Sequence, residues 1–310
     1  MSSRSTPPPG PLDREAARVR FSPDLPGRIE RCVARVSAEL ARREGPGGAS
    51  LSGRGLEWIG FRPYRPGDDA ALIDPSLLAR LQRPFVRETR REASSRWLLA
   101  LDQSASLAVG RPSKLQACAE LAAALAALGL RAKARVTLLA QASGGQPARQ
   151  LTLERRGDLL RGLRFLAAGH AAGADGPWSP PAACADVGRI FWLSDPFAAP
   201  PSQLDRWCAP GRELFVVQFL APLESDPPSA GSLRWRSPES GAEQSVELTA
   251  ERRGRYLADL ESLRQAWARE ASVRRAQLLW CSSSEPFEDS LLRLFGGVAA
   301  RPGRAEGGRG

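Results

Sequence analysis

Short apolar runs recur along the chain at residues 97–101, 136–140, 190–193, 214–220 and 277–280. Their apolarity is continuous rather than alternating, which marks strands covered on both faces, as in a parallel sheet. Helical patterns lie between most of them. The longest, 115–130, is interrupted only by Gln116 and Glu120, one turn apart on one face. Ser113 and Gln116 stand at capping-box spacing at its start, so a nearly all-buried helix is predicted there. Shorter helices are expected at 158–168, 202–208 and 289–295. Strand and helix alternate in this way in an α/β, doubly wound, mostly parallel sheet of the Rossmann-like kind.

Two stretches break the alternation. Residues 233–235 and 245–248 flank the turn-like Pro-Glu-Ser-Gly at 238–241 and read as a β-hairpin. A long helix follows it. Thr249 is a suitable N-cap, and Tyr256, Leu260, Leu263 and Trp267 form an apolar stripe at helical spacing. Near the start, 28–43 reads as an amphipathic helix ended by Glu-Gly-Pro-Gly-Gly at 44–48. From 53 to 91 the chain is dense in charge, Gly and Pro. The expected organisation is a disordered tail over 1–27, an N-terminal helix with a charged segment over 28–92, and the α/β domain over 93–297. An insertion of hairpin plus helix falls at about 231–273, and a second disordered tail at 298–310.

A chain of 310 residues, 42% hydrophobic and 25% charged, can bury one large α/β core. Five scattered cysteines without a CxxC pair fit neither a disulfide framework nor a zinc knuckle, so reduced thiols and a cytoplasmic location are expected. No apolar stretch reaches the ~20 residues of a membrane span. The net charge of +10 raises the question of nucleic acid, yet Lys114 and Lys133 are the only lysines among 44 basic residues, and the arginines are dispersed. A phosphate-binding face gathers its charge into a stripe, so nucleic-acid binding ranks low.

Candidate chemistry falls where strand runs end, the place where open α/β sheets bind ligands. Asp102-Gln103-Ser104-Ala105-Ser106 follows the first run, and Ser194-Asp195 follows the third. Asp102, Ser104 and Ser106 offer the hard oxygen ligands that Mg²⁺ prefers, with Asp195 as a further oxygen and water or a partner carboxylate completing the shell. The same residues also suit local capping: Asp102 can bond its own loop, and Ser194 or Asp195 can cap a helix beginning at Pro196. Both readings stay open. Conventional catalysis finds little footing. His170 is the only histidine, and no phosphate-binding loop or dinucleotide fingerprint opens a helix after a strand.

Asp102, Ser104 and Ser106, with Ser194-Asp195 far downstream, resemble the metal-ion-dependent adhesion site of von Willebrand factor A domains. A more specific likeness lies upstream, in Gly53-Arg54-Gly55-Leu56-Glu57-Trp58, Phe61-Arg62-Pro63-Tyr64-Arg65-Pro66-Gly67-Asp68-Asp69, Ile73-Asp74, Ala79-Arg80 and Val86-Arg87-Glu88. Together with the serine motif and Lys114, these resemble the bacterial domain of unknown function 58 family over about 28–297. The resemblance implies a von Willebrand A-like fold and a non-enzymatic adaptor that serves a MoxR-type AAA+ ATPase. Several positions depart from the family pattern. Pro75 stands where a Trp usually follows Ile-Asp, Ala71 and Leu72 replace basic residues, and Leu107 replaces a Met. The loop 167–177 also lacks the Thr that A-domain metal sites use; Asp175 is the candidate substitute there.

The expected activity is therefore protein–protein binding through the loop tops around Asp102 and Asp195, with Mg²⁺ as a possible cofactor. Arg62, Tyr64, Arg65, Asp68, Asp69 and Asp74 either brace the N-terminal segment or present a partner surface. The enzyme-class alternative is a metal-dependent hydrolase built on Asp102, Asp175 and Asp195.

Overall fold

In the computed structural model the described residues are 18–44, 56–65, 73–91, 96–141, 148–171, 186–237 and 242–295. A six-stranded sheet forms the frame, built from β3 (Arg96–Asp102), β4 (Arg135–Gln141), β5 (Arg149–Leu153), β6 (Arg189–Ser194), β7 (Glu213–Leu220) and β10 (Gln277–Ser282). Its order is β10-β7-β6-β3-β4-β5, and every pairing is parallel except β4 with β5. The chain leaves β3 toward β4 on one side and returns to β6 on the other. The C-terminal ends of β3 and β6 therefore bound the switch-point crevice of a doubly wound, von Willebrand A-like fold.

One face of the sheet carries α3 (Lys114–Arg131), whose other neighbours are α1 (Leu25–Glu44), α4 (Leu159–Ala167) and α7 (Phe287–Phe295). Being covered by sheet and helices at once explains why α3 is apolar almost all round. Ser113 caps it by accepting from Gln116 N. Only half of the capping box forms, because the Gln116 side chain turns to the Arg20 carbonyl and to Glu120. At Gly129 the helix nearly touches the sheet: an added Cβ would lie 2.7 Å from Val136 Cγ2 and 2.8 Å from Trp97 Cε3.

The opposite face holds a 3-10 segment, Pro201–Arg206, and α6 (Ala250–Val273). Trp192 stacks on Trp207 at 5.2 Å, and Trp267 of α6 meets Trp192 edge-on at 5.8 Å. The 3-10 segment takes the place of the helix expected over 202–208. The predicted hairpin is present as β8 (Gly231–Arg236) paired with β9 (Glu243–Leu248), followed by α6 with Thr249 as its cap. The short α5 (Pro222–Ser225) precedes it.

The charged segment contains more structure than its composition suggests. It forms β1 (Leu56–Pro63) and β2 (Phe85–Arg91), an antiparallel ribbon separate from the main sheet, with α2 (Pro75–Leu81) between them. Part of the stretch expected as an N-terminal tail also packs down: Val19 and Leu25 are buried, and Arg20 N donates to Gln116 Oε1 at 2.8 Å. Among the described residues no helix is long and apolar enough to cross a membrane. Cys32, Cys118, Cys208 and Cys281 are free thiols.

Candidate functional site

The ends of β3 and β6 bring Asp102 and Ser194 side by side. Ser194 Oγ donates to Asp102 Oδ2 at 2.8 Å, and Ser104 N donates to Asp102 Oδ1 at 2.8 Å. The hydroxyls of Ser104 and Ser106 lie 3.0 Å apart. Asp102, Ser104, Ser106, Ser194 and Asp195 are all buried. The residues singled out from the sequence thus lie close together at the ends of β3 and β6. Its geometry also corrects one expectation, since no helix begins at Pro196. Asp195 Oδ1 instead accepts Phe197 N at 2.7 Å and closes a turn.

The charges of the site are unbalanced. The Lys114 ammonium, wholly buried at the first turn of α3, is ion-paired with Asp195 Oδ2 and with Glu224 Oε1, the latter at 2.7 Å. Burial alone would lower its proton affinity, but the Asp195 and Glu224 carboxylates outweigh that and raise it, so Lys114 stays charged. Glu224 Oε2 accepts Ala221 N at 2.7 Å, and the Glu224 carbonyl accepts the Tyr256 hydroxyl at 2.6 Å. Two carboxylates thus share one ammonium, and Asp102 adds a third negative group beside Asp195. Burial, with a smaller push from Asp195, drives the Asp102 carboxyl up to about 6 against the opposing hydrogen bonds from Ser104 and Ser194.

The donor set fits a small divalent cation with oxygen ligands. Asp102, Ser104 and Ser106 would hold it, with Ser194 beside them, and two positive charges would balance the net two negative charges of the ionised cluster. Such an ion would supply a point of attachment for an outside carboxylate. Among the described residues no three His, Cys, Asp or Glu side chains converge on a metal position, so the hydroxyls are essential to this fit.

The remaining predicted residues have different places. Asp175, Asp68 and Asp69 lie outside the described residues, as does the side chain of Arg62. Tyr64 is half-buried after β1, its N–H bonded to the Pro84 carbonyl at 2.9 Å, and Arg65 is exposed. Asp74 is buried and caps α2, accepting Ser76 N at 3.0 Å and Leu77 N at 3.1 Å. His170 is exposed.

Sequence reasoning assigned no role to Lys114 or Glu224. A signal existed for each. A lysine in the first turn of a helix opposes the helix dipole and calls for a compensating anion. Pro222 and Glu224 stand at the first and third positions of α5, where a carboxylate reaches back to the cap amide. Two large apolar side chains rise from the loops these carboxylates occupy: Phe197 is 45% exposed and Leu223 is 70% exposed. The Lys114 ammonium sits 5.9 Å from the Phe197 ring centre.

The profile of a family described as "Protein of unknown function DUF58" matches residues 60–266. No curated protein matches the chain.

Proposed function

The chain belongs to the DUF58 family, and from that premise we propose that it is a non-enzymatic interaction module that engages a MoxR-type AAA+ ATPase. Its contact surface is the set of loops at the C-terminal ends of β3, β6 and β7. The observation that carries this reading is the overcharged oxygen cup at the switch point, Asp102 with Ser104, Ser106 and Ser194, with Phe197 and Leu223 exposed on the segments that follow β6 and β7. A divalent cation there would accept a partner carboxylate. Those two apolar side chains would supply the desolvated contacts that dominate protein interfaces. The nature of the partner rests on the family resemblance alone.

A binding role is favoured over hydrolysis through Asp195 because its carboxylate is already engaged by Lys114 and Phe197 N. The test is affinity capture from native lysate with wild type and Asp102→Ala, each in Mg²⁺ and in EDTA. The reading expects a MoxR-type ATPase with wild type in Mg²⁺ only. Equal capture in all four conditions would move the partner surface away from the cup. Metal-dependent hydrolysis abolished by Asp102→Ala would replace the binding role with an enzymatic one.

A further inference from the structure

The Lys114 side chain has no exposure, and its partners lie 81 and 110 residues away. Its two carboxylates each have both oxygens engaged. Asp195 uses one oxygen for Lys114 and the other for Phe197 N, while Glu224 uses one for Lys114 and the other for Ala221 N. Ser104 and Ser106 stand in the loop after β3. Those hydroxyls bond each other, and Asp102 bonds Ser104 N and Ser194 Oγ.

We propose that Lys114 is a positioning residue, a resident cation that holds Asp195 out of metal coordination and so restricts the cup to one divalent ion bound through Asp102. This rests on the metal-cup reading above. Without the ammonium, Asp195 would swing toward the ion in the cup and displace one of its waters. The clamp keeps that coordination position open for a ligand from outside. It also matches the charge of the site to a single dication, because one of the three carboxylate charges is already neutralised. The link from Glu224 to Tyr256 fixes the clamp to α6, so the loops after β6 and β7 keep their places whether or not the cup is filled.

The test is a titration of the purified full chain with Mn²⁺ alone, read by electron paramagnetic resonance for affinity and by water-proton relaxation for the number of bound waters. Wild type and Lys114→Arg are expected to bind one ion with the same affinity and hydration. Lys114→Met is expected to bind Mn²⁺ at least ten-fold more tightly, with one bound water fewer. Lys114→Met/Asp195→Asn is expected to return to wild-type values. Should Lys114→Met fail to fold, Lys114→Met/Asp195→Asn/Glu224→Gln removes the three charges together; its site carries one negative charge instead of two, so weaker Mn²⁺ binding with wild-type hydration is expected of it. Wild-type Mn²⁺ affinity and hydration in a folded Lys114→Met would overturn the proposal, as would loss of binding there with an unchanged circular dichroism spectrum. Altered hydration in the triple variant would do the same. No Mn²⁺ bound by wild type or any variant would sink the metal-cup reading itself.

Discussion

Replacing Asp102 by Asn should make the metal-free protein more stable at neutral pH while removing its response to divalent ions. Burial drives the Asp102 carboxyl from an ordinary 3.8 to about 6 in the fold. Because the folded value is the higher one, folding takes up a proton between these limits. The stabilisation from the protonated form is full below pH 3.8 and is lost as pH rises through about 6. Two pH units correspond to about 3 kcal/mol of charge burden at pH 7.5. Asn keeps both neighbours: its carbonyl can accept Ser104 N, and its amide can donate to Ser194 Oγ, whose proton then turns elsewhere. In EDTA at pH 7.5 the variant should therefore gain about 1 to 3 kcal/mol, a rise of roughly 2 to 10 °C in melting temperature for a domain of this size. At pH 4 the two proteins should melt within about 1 °C of each other, since wild type is then protonated as well. Scanning calorimetry at both pH values, with EDTA or with Mg²⁺, gives all the comparisons. A variant melting below wild type at pH 7.5 in EDTA would refute the reasoning, because it would mean that the buried charge is already compensated within the chain.

Gly129→Ala should destabilise by about 1 to 3 kcal/mol in urea unfolding, because the new methyl meets both Val136 and the Trp97 ring, and Trp97 emission should shift with it. Arg28→Ala removes two hydrogen bonds to Glu288, at 2.7 and 2.8 Å, and the contact over the Phe287 ring; a loss of about 1 to 2 kcal/mol is expected from the same assay. Phe197→Ser with Leu223→Ser should leave the melting temperature nearly unchanged, given the exposure of both side chains, while abolishing capture of the partner. Retained capture would place the contact surface elsewhere.

The central strands and α3 were legible because burial on both faces writes unbroken apolar runs, a signal that needs no knowledge of neighbours. Edge and single-turn elements carry no such signal. β5 reads Arg-Gln-Leu-Thr-Leu, five residues with partial exposure, and it is identified only by pairing with β4. Residues 202–208 have room for barely two turns, and apolar spacing over that length does not separate a 3-10 from an α-helix. The Asp102 loop was legible because its donors sit within five residues of one another at a strand end. The Lys114 clamp was not, since its three members come from three loops and each has a local alternative: Asp195 as a turn former, Glu224 as a cap, Lys114 as an exposed helix residue. Only the sheet order, which sets β6 between β3 and β7, brings them together.

That same order explains how the inserted hairpin and α6 are tied to the site. The helix runs 24 residues, yet only Leu260, Trp267 and Ala271 are buried, so few contacts hold it to the sheet. Its anchors differ in strength. Trp267 fills the space against Trp192, wholly buried, and donates its indole N–H to the Pro196 carbonyl at 3.4 Å; a buried tryptophan of this kind is worth about 3 to 5 kcal/mol. Tyr256, half-buried, holds the Glu224 carbonyl through one hydrogen bond, worth about 1 kcal/mol, and Arg253 adds bonds to the Pro227 carbonyl at 2.8 Å and to Asp226 at 2.6 Å. One anchor grips the loop that follows Asp195 and the other the loop that carries Glu224, the two loops joined by Lys114. A displacement of the hairpin or of the first turns of α6 is therefore passed through Tyr256 and Arg253 to the loop after β7, with Trp267 as the fulcrum. The loop after β7 would then move while the loop after β6 stays fixed. Since Lys114 bridges those two loops, such a movement strains the clamp rather than the Asp102 cup, and by linkage any ligand that tightens the clamp resists the movement to the same degree.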